Sequence, residues 1–102
     1  MKILCVCGQG NKRSVFTRFV LNPKHDAVAI GIDVNSQETI NMLAQWADVI
    51  LLAEPEMSVK FPIDQHKIDK RFTIGEDNFP ISIADGKLKS LVIKKLTDLE
   101  YI

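Results

Sequence analysis

The apolar positions of this chain fall in compact blocks separated by short polar stretches. Lys2 opens the run Ile3-Leu4-Cys5-Val6-Cys7, continuously apolar in the manner of a strand buried on both faces. It stops at Gly8-Gln9-Gly10-Asn11, which reads as a loop. From Ser14 the residues Val15, Phe16, Phe19 and Val20 recur at helical spacing, and Asn22-Pro23 ends that helix. Ala27 to Ile32 is a second buried strand. Asn35 or Ser36 then offers an N-cap for a helix carrying Ile40, Leu43, Ala44 and Ala47 on one face, with Trp46 turned toward the sheet. Asp48 to Ala53 forms a third apolar strand.

Glu54 to Lys70 is interrupted by Pro55 and Pro62 and reads as short helices within a long connection. Phe72-Thr73-Ile74 is expected to be a short fourth strand and Gly75 to Ala84 a loop. Leu88, Leu91, Val92, Leu96 and Leu99 mark a closing amphipathic helix. Strands alternating with helices imply right-handed βαβ units and a parallel sheet covered on both faces. The expected fold is therefore α/β: a flavodoxin-like, doubly wound, four-stranded parallel sheet of order 2-1-3-4. Residues 1–102 make one domain, and the switch point places the loop after Cys7 at the ligand crevice.

Composition narrows the function. Of 102 residues 46% are hydrophobic, and 13 Lys and Arg balance 13 Asp and Glu to a net charge of zero. That balance argues against a general nucleic-acid binder, which carries a basic excess to displace counterions. No stretch approaches the roughly 20 apolar residues of a membrane span, and Ile3 to Val6 is too short for a signal-peptide core. Two cysteines are too few for a secreted disulfide scaffold, and Cys5 and Cys7 are badly spaced to bridge each other along one strand. A cytoplasmic, monomeric domain without membrane contact is expected. Cys5 reads as a packed strand residue.

The chemistry concentrates in Cys7-Gly8-Gln9-Gly10-Asn11-Lys12-Arg13-Ser14, between a buried strand and a helix. A strand-to-helix turn with two glycines lets backbone N–H groups converge on one centre, an anion-binding nest. The helix start adds unpaired donors and the positive end of its dipole. Arg13 supplies a planar fork matched to two phosphate oxygens. The field that holds a phosphate also stabilises a thiolate at Cys7, placed for in-line attack and a phosphocysteine intermediate. Ser14 is placed to donate to the sulfur and ease its departure. Gly8, Gln9, Gly10, Asn11, Lys12 and Arg13 form the expected phosphate cradle.

At these residues the chain resembles the low-molecular-weight protein tyrosine phosphatases, which open with a hydrophobic strand running into a C-x-x-x-x-x-R-[ST] loop. Leu43, Trp46, Ala47 and Asp48 are similar to the L-x-x-W-A-D segment of short members of that family. The resemblance implies phosphomonoester hydrolysis through a phosphocysteine without metal or cofactor, on a phosphorylated protein or small phosphoester. It assigns Cys7 as nucleophile, Arg13 as phosphate clamp and Ser14 as the thiolate's partner. The chain departs from the family pattern at Gly10, where an Asn is usual and here comes one place later as Asn11. It departs again at Lys12, where a second loop cysteine is usual.

The family's general acid lies in an Asp-Pro-aromatic loop after the last strand. Asp77, followed by Asn78 and Phe79, is the first choice for it, with Phe79 as a cleft wall or a core residue. Asp85 before Gly86 is the alternative, though it is equally placed to cap the closing helix, and Glu76 could tune or replace Asp77. His25 and His66 are isolated and expected at the surface. Lys67, Lys70 and Arg71 with Asp64 and Asp69 read as a solvated mixed-charge face, and Glu54-Pro55-Glu56-Met57 as a loop near the crevice. Two other functions fit the opening residues. One is a phosphoryl-carrier B subunit of a sugar phosphotransferase system, which shares a Cys-Gly-x-Gly loop but generally lacks an arginine like Arg13. The other is a domain that binds phosphate without turnover.

Overall fold

The computed structural model describes residues 1–75 and 81–102, the backbone alone for 81–85. Three strands, β1 (Lys2–Cys7), β2 (Asp26–Gly31) and β3 (Val49–Leu52), pair in parallel in the order β2-β1-β3. Cys5 stands opposite Ala29 on one side and Leu51 on the other, which centres β1 in the sheet. Three α-helices follow the strands: α1 (Arg13–Leu21), α2 (Gln37–Trp46) and α3 (Ile81–Asp98). Two 3-10 turns, Pro55–Lys60 and Gln65–Lys67, occupy the long connection, as its prolines suggest.

The apolar runs are continuous because both faces of the sheet are covered. Leu4, Val6, Ile50 and Leu52 point to the α2 side, where they pack on Ile40, Ala44, Ala47 and Phe61. Ile3, Cys5 and Leu51 point the other way, onto Leu21 of α1 and Leu88, Val92 and Leu96 of α3. The fold is thus doubly wound, with its core split into two layers by β1.

Several expectations are corrected. Among the described residues the sheet has three strands, and Phe72–Ile74 is not a fourth. Thr73 Oγ1, Ile74 N and Gly75 N all donate to one carbonyl, that of Ala53, at 3.1, 2.9 and 3.0 Å. Converging on one acceptor, this segment cannot run a ladder along β3, whose edge instead meets Ile68 in an isolated bridge from Ile50. The buried stripe of α1 is Arg13, Ser14, Thr17 and Leu21, whereas Val15 and Phe19 are exposed. The polar N-terminus of α1 must face the end of β1, and this sets the rotation of the helix against its apolar pattern. The last helix begins at Ile81, so Asp85 lies inside α3 and does not cap it. Ile81 to Ala84 hold no helix breaker, and Gly86 costs a helix interior only about 1 kcal/mol.

Ser36 caps α2 through its side chain, which accepts from Thr39 N at 3.1 Å. Lys67 closes the other end, donating to the carbonyls of Ala44 and Gln45 at 2.8 and 3.0 Å. Trp46 is half-buried at the margin of the α2 layer. His25, expected at the surface, is half-buried too. Its Nε2 lies 2.8 Å from the Tyr101 carbonyl oxygen, and its ring meets that of Tyr101 edge-on. His66 is exposed. No described helix is long and apolar enough to cross a membrane.

Candidate functional site

The site is assembled at the C-terminal ends of the strands, where parallel sheets open their crevice. Cys7 is the last residue of β1 and is 2% exposed. Its thiol lies 3.1 Å from Ser14 Oγ, to which it donates, and Sγ accepts from Gly10 N at 3.2 Å. The sulfur is therefore held between the loop backbone and the first turn of α1. Among the described residues that turn has no side-chain cap hydrogen bond from Lys12, and the leading N–H groups of a helix start are suited to an anion.

Gly10 adopts φ 72°, and a Cβ there would stand 2.5 Å from Gly31 N. No asparagine fits in that place: the loop rests directly on the end of β2, and backbone contact supplies the shape that a side chain would otherwise hold. The loop after β2 is knitted to it as well. Ile32 N donates to Cys7 O and Asp33 N to Gly8 O, both at 2.9 Å, and Asn35 Oδ1 accepts from Gly31 N at 3.1 Å.

Arg13 is 5% exposed. Its Nη1 donates to Gly75 O at 2.6 Å and lies 3.4 Å from Glu54 Oε2, while its buried Nε has no partner among the described residues. A guanidinium buried this deeply, with one donor unclaimed, suits a doubly charged oxyanion better than a solvated surface. Thr17 Oγ1 ties back the Arg13 carbonyl at 2.9 Å.

The structure thus brings together Cys7, Gly8, Gly10, Arg13 and Ser14. Gly8, Gly10 and Lys12 are half-buried at the loop, and Gln9 and Asn11 are exposed on it. Glu76, Asp77 and Phe79 lie outside the described residues, as does the side chain of Asp85. Cys5 points into the α1–α3 layer, and burial pushes its thiol up to about 12, which keeps it protonated and inert. No group of three His, Cys, Asp or Glu among the described residues is arranged to hold a metal. A separate cavity of about 230 Å³, lined by Leu52, Pro55, Ile68 and Phe72, lies along β3 and shares no residue with the loop.

Glu54, expected in a loop near the crevice, is there and holds Arg13. Gly31, which seats the loop, and Asp33, which stands beside Gly8, were not singled out by the sequence. Gly31 ends β2, Asp33 follows it and Glu54 follows β3, so the signal available was position at the crevice end of a strand.

No known family model and no curated protein matches the chain. A solved structure does: the YwlE arginine phosphatase from Geobacillus stearothermophilus, at a TM-score of 0.66 and 15% identity over 97% of this chain and 92% of that one. The chain therefore shares the α/β fold of that solved structure.

Proposed function

We propose that this chain is a cysteine-dependent phosphomonoester phosphatase. The observation that carries the reading is the placement of the Cys7 sulfur, 3.1 Å from Ser14 Oγ and 3.2 Å from Gly10 N, in a loop whose Arg13 is buried and braced by Glu54. In the first step the Cys7 thiolate attacks phosphorus, the P–S bond forms, and the P–O bond to the leaving group breaks. The leaving oxygen takes a proton from an acid, for which Asp77 is proposed and Asp85 is the alternative. In the second step water attacks phosphocysteine and gives its proton to that carboxylate. The P–S bond breaks, phosphate departs, and Ser14 donates to the thiolate left behind. The guanidinium of Arg13 pairs with the equatorial oxygens throughout.

Arg13 separates this reading from a phosphoryl carrier, which must keep its phosphocysteine from water and gains nothing by stabilising hydrolysis. The proposed substrate is protein phosphotyrosine, following the loop's resemblance. Arginine phosphate enters the test because the structural neighbour is named for it; there the bond broken is P–N, so turnover of it alone would move the proposal from phosphomonoesters to that substrate. The test is hydrolysis of an aryl phosphate, a phosphotyrosyl peptide and arginine phosphate near pH 6 without metal. Turnover that Cys7→Ser abolishes and vanadate blocks supports the proposal. Turnover indifferent to Cys7→Ser overturns it, and stable phosphocysteine without phosphate release makes the chain a carrier.

A further inference from the structure

Gly8 leaves a gap at the loop, and a carboxylate stands over it. A Cβ on Gly8 would lie 3.0 Å from Asp33 Oδ2 and 3.9 Å from Arg13 Nη2, so the carboxylate and the guanidinium flank the same point. Asp33 is held there by its backbone, whose N–H donates to Gly8 O at 2.9 Å. Its side chain is exposed, and among the described residues it forms no hydrogen bond or ion pair. Glu54, on the next strand end, already offsets part of the charge of Arg13.

The phosphate itself is met by Arg13 and the loop, but Asp33 weighs against a substrate whose flank adds further negative charge. A phosphate bound at the loop would sit within a few ångströms of the Asp33 carboxylate, and like charges at that range cost binding in a partly desolvated cleft. A positive group next to the phosphate reverses the sign, because it meets Asp33 while the phosphate meets Arg13. We propose that Asp33 is a specificity-determining residue that selects phosphopeptides with a lysine or arginine beside the phosphorylated residue. This rests on the phosphatase reading above and adds the chemistry of the flank. Asp33 recognises charge and takes no part in the bond-making steps.

The test compares two phosphotyrosyl peptides that differ only in Lys or Glu next to phosphotyrosine, with an aryl phosphate that has no charged flank as the control for turnover by the wild-type chain. The Lys peptide should have the higher kcat/KM, by about tenfold at low salt, and the ratio should shrink toward one as salt screens it. Asp33→Asn should reduce the ratio and Asp33→Lys should invert it. An equal kcat/KM for both peptides in the wild-type chain, or a ratio unchanged in Asp33→Lys, overturns the proposal while leaving the phosphatase intact. If the wild-type chain turns over none of the three substrates, the phosphomonoesterase reading fails. The charge preference is then read as the ratio of the two peptides' Kd values by calorimetry, and equal or undetectable binding overturns it there too.

Discussion

Gly10 and Gly31 are packed backbone to backbone: a Cβ on Gly10 would lie 2.5 Å from Gly31 N, and one on Gly31 would strike the backbone of Gln9 and Gly10. The shape of the loop around Cys7 is thus set by the end of β2 as well as by the loop's own residues. Gly31→Ala must push the loop off the strand, because backbone cannot rotate away as a side chain can. The expected result is a stability loss of about 2 kcal/mol or more by urea unfolding, together with a larger fractional loss of phosphatase turnover. Gly8→Ala crowds the Asp33 carboxylate at 3.0 Å, the end of an exposed side chain, and meets Arg13 Nη2 at an ordinary 3.9 Å, so it should cost far less stability. Equal losses in the two variants would show that the loop does not depend on its seat.

The two thiols should behave oppositely. Both thiols are buried at rest, but Cys5 is sealed in the α1–α3 layer with its thiol pushed up to about 12, whereas Cys7 ends β1 at the crevice beside Ser14. Iodoacetate on the folded chain at pH 7 should add one carboxymethyl group, at Cys7, and a second only after unfolding, as mass spectrometry of peptides reads directly. Ser14→Ala removes the hydroxyl from the departing sulfur. A hydrogen bond to a charged group is worth about 1.5–3 kcal/mol, so kcat should fall roughly tenfold to a hundredfold, with phosphocysteine accumulating as a burst. Loss of the burst without loss of kcat contradicts that role.

The order of strands and helices was legible because buried parallel strands carry unbroken apolar runs such as Ile3 to Cys7, and Ser36 announces a helix. The nucleophile loop was legible for a related reason: its residues are contiguous, so spacing alone brings Cys7, Arg13 and Ser14 together. What brings Glu54 to Arg13 or Asp33 to Gly8 is the sheet, and no local pattern encodes it. The rotation of α1 misled for the same reason. Phe19 looks like a core residue and is 62% exposed, because the helix turns Arg13, Ser14 and Thr17 inward to serve the loop. Phe72–Ile74 has the composition of a strand, but its donors converge on the Ala53 carbonyl.

Glu54 orients Arg13 without reaching the proposed phosphate itself. The pair is 3.4 Å apart with side chains 6% and 25% exposed, sheltered enough to hold a guanidinium plane. Glu54→Gln keeps the shape and removes the charge. KM for an aryl phosphate should change by less than a few-fold, since Arg13 becomes less neutralised. The kcat should fall by roughly tenfold as the fork loses its alignment with the transition state. Asp at this place should restore part of kcat, and a variant with unchanged kcat would reduce Glu54 to a bystander.

Asp69 joins the long connection to the C-terminus, and its charge makes that joint sensitive to acid. One oxygen accepts from Arg71 Nε at 2.9 Å, the other from Arg71 Nη2 at 2.8 Å and from the Tyr101 hydroxyl at 2.6 Å. The Arg71 hydrogen bonds, aided by Tyr101, hold the Asp69 carboxyl down at about 2, while burial and this contact push the Tyr101 hydroxyl above its ordinary value. An unfolded aspartate titrates near 3.9, so the folded value is the lower one. The stabilisation is therefore fully present above about pH 4 and is lost as pH falls toward 2. Urea midpoints at pH 5, 3.5 and 2.5 should show wild type ahead of Asp69→Asn at pH 5 and the gap closing at pH 2.5. Tyr101→Phe should narrow the gap only in part. Arg71 is 67% exposed, so added salt should shrink the gap at pH 5 as well. A gap that stays constant with pH would mean that Asp69 contributes through its shape and hydrogen bonds, with no net contribution from its charge.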